Sequence, residues 1–164
     1  MIQVDMKLVL VLFCLLGSQA IAAQAPALSV RNGDRTVTLT AEALRALPIH
    51  AVEVANDQGP VRYEGVRLRS VLMQAGVGFG EALRGARLAS YVVATAADGY
   101  RVVFALAELD DAFTNREVLI VLKANGQPLS AQEGPFRLLV PDDKARARWM
   151  RNLTSLTVQT AGTP

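Results

Sequence analysis

The residues of this chain best suited to chemistry gather near its C-terminus: Arg137, Lys144, Arg146, Arg148 and Arg151, around the only tryptophan, Trp149. A guanidinium presents a planar fork of donors that matches two oxygens of one anion. Gly134, just ahead of these cations, lets backbone come close to whatever they hold. Acids interrupt the pattern at Glu133, Asp142 and Asp143. The cations therefore either converge on an anion or form a solvated edge paired with Asp142 and Asp143, in which each ion pair contributes little.

Other chemistries have less to work with. His50 is the only histidine, so no Ser-His-Asp arrangement can be built convincingly. On an alternating pattern it shares a strand face with Val52 and Val54, as a partly buried or surface histidine would. Cys14 is the only cysteine and lies inside an N-terminal apolar run. If that run is removed, the mature chain has no disulfide, no thiolate ligand and no zinc site of Cys/His type. The formal charge of +2 comes without a lysine-rich stripe or stacking aromatics, so no nucleic-acid partner is expected.

Residues 1–22 read as a signal peptide. Lys7 precedes the apolar run Leu8 to Leu16, and Ala20-Ile21-Ala22 places small residues where a signal peptidase reads. The run is short for a bilayer span, so no stable membrane insertion is expected after cleavage. The mature protein would begin near Ala23 and be periplasmic in a Gram-negative cell. Residues 23–164 then amount to one domain.

The elements that must position the cations alternate strands with turn signals. Leu28 to Val30 and Thr36 to Leu39 flank Asn32-Gly33, a hairpin signal. Thr40 is placed to cap a helix over Ala41 to Leu47, closed by Pro48. Ile49 to Val54 and Val61 to Tyr63 are strands, and Gly65 suggests a tight turn into a helix from Leu68 to Ala75, stopped by Gly76. Gly78, Gly80 and Gly85 suggest a mobile connection. Leu88 to Ala96, long and apolar on both faces, reads as a central strand, and Asp98-Gly99 turns it into Tyr100 to Phe104, where the Tyr100 ring can be buried while its hydroxyl finds a partner. Leu106 to Phe113 reads as a short helix whose Glu108, Asp110 and Asp111 are solvated. Glu117 to Lys123 is a second central strand, closed by Asn125-Gly126. Phe136 to Val140 is stopped by Pro141, Trp149 is expected to plug the core, and Leu153 to Val158 ends the fold. Hairpins outnumber crossover units, which predicts an α+β domain, mainly β, with a mixed sheet and short inserted helices.

The order Asn125-Gly126-x-Pro128-Leu129, Gly134-Pro135, Arg137, Pro141, then a basic segment before Trp149, resembles the end of the oxidoreductase molybdopterin-binding domain, the sulfite-oxidase-like family. Tyr63-Glu64-Gly65-Val66-x-Leu68 and Asp98-Gly99-Tyr100 fit the same family upstream, so the resemblance covers most of the chain after about residue 35. It implies a curled mixed sheet with helices at its rim. It also implies a pterin cofactor that carries molybdenum, tethered by a cysteine thiolate, with basic and backbone groups on the pterin and its phosphate. Under that resemblance Gly134, Arg137, Lys144, Arg146 and Arg148 are the cofactor-binding candidates. The loop Ser130 to Glu133 lacks the histidine usual in larger relatives, and Asp142-Asp143 replaces a usual tyrosine-glycine pair. With no thiolate in the mature chain, no cofactor is expected, and a molybdenum-pterin belongs here only if the family's oxidoreductase function is retained. The reading favoured is a module for a small anionic ligand or for a periplasmic or membrane-bound sensor or redox protein, and the alternative is a small molybdenum-pterin-dependent oxidoreductase of the sulfite-oxidase type.

Overall fold

The computed structural model describes residues 25–56 and 58–162. The expected signal peptide, with Cys14, lies outside the described residues. Two sheets of five strands share one core. The first runs β2 (Arg35–Thr40), β1 (Ala27–Asn32), β10 (Leu153–Thr160), β5 (Ser90–Ala96) and β6 (Arg101–Ala105). β1 and β10 are parallel and its other neighbours antiparallel, so the sheet is mixed. The second runs β3 (Ile49–Asn56), β4 (Gly59–Arg67), β7 (Leu119–Ala124) and β8 (Gln127–Pro128), with β9 (Arg137–Leu139) also paired to β7. The α+β, mainly β architecture agrees with the sequence, but the strands divide into two sheets where a single curled one was expected. Leu28, Val92, Phe104 and Leu156 from the first sheet and Val66, Ile120 and Leu138 from the second are fully buried in the common core. Burying such side chains contributes roughly 1.5–3 kcal/mol each.

Local signals explain the elements. The Thr40 hydroxyl accepts from the Ala43 amide at 3.2 Å and caps α1 (Ala41–Arg45), which ends two residues before the predicted Leu47. Helix α2 (Leu68–Gln74) stops at Gly76, φ +78°, with Gly76 N donating to Met73 O and Val77 N to Leu72 O. That pair of bonds satisfies two orphan carbonyls and needs a left-handed residue at the glycine position. Asn125 and Gly126 both have positive φ, as a two-residue hairpin matched to strand twist requires.

Four expectations are corrected. Gly65 makes no turn: it lies inside β4, where a Cβ would sit 2.2 Å from the Ile120 carbonyl oxygen, at an irregularity in the β4–β7 register. The Gly78–Gly85 connection is anchored, since Leu83 is buried and the Gly80 amide donates to Asp110. Gly85–Ala89 is a 3₁₀ turn, so the strand begins at Ser90 and alternates buried with half-buried residues, and Val93 falls on its half-buried face. Leu106–Leu109 is one 3₁₀ turn, not a helix running to Phe113.

The segment between β9 and β10 crosses from one sheet to the other. Leu138 N donates to Met150 O at 2.7 Å and Leu153 N to Phe136 O at 2.8 Å, while the Trp149 indole N–H donates to Val140 O at 2.7 Å. Trp149 is buried in the core, as its sequence setting suggested. It fixes the basic residues on either side of it to the rim where the two sheets meet.

Candidate functional site

The cations predicted to act together lie on this one crossing segment and on β9, but two of them, Arg137 and Arg148, face carboxylates of the same chain. Arg148 is half-buried. Its Nε and Nη2 hold the two Asp143 oxygens at 2.8 and 2.7 Å, a bidentate pair, and Nη1 reaches Glu108 at 3.4 Å. Its guanidinium also lies over the Phe104 ring, 4.7 Å from the centroid. Hydrogen bonding from Arg148 holds the Asp143 carboxyl below the usual carboxylate range, and Asp143 in turn raises the Arg148 pKa. Glu108 is therefore no solvated helix end. It accepts from Ala105 N at 3.0 Å and pairs with Arg116 and Arg148.

Arg137 is buried on β9. Its Nη1 pairs with Glu133, and its guanidinium lies 5.4 Å from the Tyr63 ring and 5.8 Å from the Trp149 ring. Those two rings meet edge to face at 6.4 Å. The Arg137 Nε is buried without a partner among the described residues. Arg146 is exposed, stacks on Trp149 at 4.8 Å and donates to Ala55 O at 2.9 Å, which ties the segment to the end of β3. Cation–π contacts of this kind contribute about 0.5–2 kcal/mol.

Lys144 and Asp142 are exposed, and neither has an ion-pair partner among the described residues. Of the two acids expected to neutralise the segment, only Asp143 does so. Gly134 is buried, its amide donates to Ser130 O at 2.8 Å, and a Cβ there would meet Leu129 Cβ at 3.0 Å. The glycine thus lets its own loop close tightly. Tyr100 is half-exposed rather than buried, and its hydroxyl reaches out to Ala147 O at 2.8 Å. It pins the β5–β6 hairpin to the basic segment. Beside them a cleft of about 410 Å³ opens between Tyr100, Gln132, Trp149, Arg151 and Asn152.

Sequence reasoning did not assign Tyr100 or Glu108 to this site. Each is more than 35 residues from the segment it holds, as the separations of 47 and 40 show, and no local spacing signals such a contact. His50, on β3, lies 3.3 Å from Glu117, away from the cation cluster.

A family model described as the oxidoreductase molybdopterin binding domain matches residues 40–164. The chain belongs to this family. Among solved structures, the sulfane dehydrogenase SoxCD from Paracoccus pantotrophus is similar in fold, with a TM-score of 0.63 and 20% sequence identity. That similarity covers 81% of this chain and 38% of the other, so the present chain spans well under half of that protein. No curated protein matches the chain.

The side chains present fit the family's cofactor only in part. Molybdenum held by a dithiolene is a soft centre matched to thiolate. Among the described residues there is no cysteine, and no three His, Asp or Glu side chains converge as a metal site. Of the anion-binding candidates, Lys144 has no ion-pair partner among the described residues and Arg146 is bonded to the Ala55 carbonyl, while Arg137 and Arg148 are engaged by carboxylates. Tyr63, Asp98 and Gly99 of the family's upstream motifs have structural roles here: an aromatic shelf under Arg137, and a hairpin in which Asp98 accepts the Tyr100 amide at 2.9 Å.

Proposed function

We propose that this chain is an exported member of the family that uses the fold as a binding module, for a small anionic ligand or a periplasmic or membrane-bound redox or sensor protein. It does no molybdenum chemistry of its own. The observation that carries this is the bidentate Arg148–Asp143 pair with Glu108 behind it, which neutralises a central cation of the segment from within. The sole cysteine, Cys14, supports it further, because it falls in the segment read as a signal peptide. A small anion would instead meet Lys144 and Arg146 at the exposed rim, in contacts that contribute about 1 kcal/mol or less each and weaken with salt. Such binding is millimolar or weaker.

Family membership favours the second possibility, a small molybdenum-pterin oxidoreductase with an oxygen ligand to the metal. Elemental analysis of protein purified from its native periplasm separates the two. Molybdenum far below one per chain is the expected result, and a value near one per chain restores the enzyme. Recovery of full-length chain in the cytoplasm alone would remove the export step.

A further inference from the structure

β10 carries a feature at each end. Leu153 opens beside Trp149 and the basic segment, and Thr160 closes beside a second cleft, of about 310 Å³. Seven residue steps separate them, roughly 23 Å at about 3.3 Å per residue, so this cleft is a place apart from the family site. Its floor is aliphatic: Val77, Leu83, Leu106 and Val158. Its polar side chains are Asn32, Arg87, Ser90 and Thr160. Arg87 is the sole charged residue lining it, and no acid does.

Arg87 donates from Nη1 to the Ala82 carbonyl at 3.3 Å. It has no acidic partner among the described residues, so most of its five N–H donors remain for a ligand. Ser90 and Thr160 bond each other at 2.9 Å across the β5–β10 pair. One mutual bond between two hydroxyls leaves one O–H free to donate. Ser90 is buried and Thr160 exposed, and their pairing across β5 and β10 holds both hydroxyls at the cleft. The walls are also fixed. The Asn32 amide donates to Ala75 O at 3.2 Å, and the α2 terminus turns at Gly76 into buried Val77.

We propose that this cleft binds a small aliphatic monocarboxylate, its two oxygens on Arg87 and the Ser90–Thr160 hydroxyl pair and its chain on the apolar floor. The volume lies at the small end of the range for ligand pockets. An unpaired guanidinium with a hydroxyl donor selects a carboxylate over an alcohol, and it repels an amine.

Titration of the full mature chain with hexanoate, followed by amide ¹⁵N–¹H spectra, tests this. Saturable shifts are expected at Gly78, Arg87, Ser90 and Thr160, with hexanol at least tenfold weaker and hexylamine without effect. Arg87→Met should weaken hexanoate at least tenfold and Thr160→Val a few-fold, both with native-like spectra. Absence of saturation, equal affinity for hexanol, undiminished binding by Arg87→Met, or shifts centred on residues 144–149 would each overturn the proposal.

Discussion

Two arginines in this molecule look alike and do different things. Arg69, at the start of α2, lies over Phe79 at 5.2 Å and pairs with Asp110 at 3.8 Å and Asp111 at 2.8 Å. Arg137, on β9, lies over Tyr63 and Trp149 and pairs with Glu133. Each keeps a buried Nε without a partner among the described residues. The difference is in the acids. Asp110 is 1% exposed and also accepts the amides of Gly80 and Ala112, so it ties α2 to two loops. The Glu133 side chain is 32% exposed and sits on a surface loop. A buried carboxylate with several donors is a fastening, whereas a half-exposed one can be exchanged for another anion. The same residue types therefore give structure in one place and a potential binding edge in the other, and burial of the acid decides which.

The comparison breaks most easily at Asp110. Asp110→Ala leaves the Gly80 and Ala112 amides without their acceptor and Arg69 with Asp111 alone, and a buried polar group left unsatisfied costs about 1–3 kcal/mol. Urea denaturation should show a loss of that size. A change under about 1 kcal/mol would mean that Asp110 fastens nothing and that the two arginines are equivalent.

Asp143 stands between the two extremes and carries a pH signature. Its carboxyl is held below the usual range by Arg148, so the stability it contributes is complete above the unfolded value of about 3.9. That contribution is lost as pH falls through the lower folded value. Asp143→Asn should cost about 1 kcal/mol at neutral pH, reduced by solvent screening at this partly exposed pair. The gap between native and variant stability should close in strong acid. A gap that stays constant from pH 7 to pH 2 would show that the pair has no ionic component.

Glu133→Gln should change stability least, by about 0.5 kcal/mol or so for a partly exposed pair. It frees the guanidinium of Arg137, so binding of inorganic phosphate near Trp149 should tighten several-fold, read by tryptophan fluorescence at low salt. Unchanged binding would place Arg137 with Arg69, as a structural group.

The turns and caps of this protein are legible because their causes are local. Thr40 caps with its own oxygen, Gly76 accepts a left-handed backbone beside α2, and Asn125-Gly126 needs two positive φ angles in succession. The central role of Leu119 to Val121 is equally plain, since an unbroken β-branched and aliphatic run has only one low-energy place, the core. The family motifs, too, are strings of adjacent residues, and they carry the fold without reference to any long-range contact. Tertiary structure alone decided the rest. Gly65 looks like a turn glycine until Ile120, on a strand much later in the chain, places its carbonyl where a Cβ would be. Tyr100 needs a hydrogen-bond acceptor by its chemistry, but only folding names Ala147 as that acceptor and leaves the ring half-exposed. Glu108 looks solvated until folding brings Arg148 and Arg116 to it. A side chain's charge and shape are written in the sequence, but what neutralises the charge or fills the space comes from residues that meet only when both sheets close on one core.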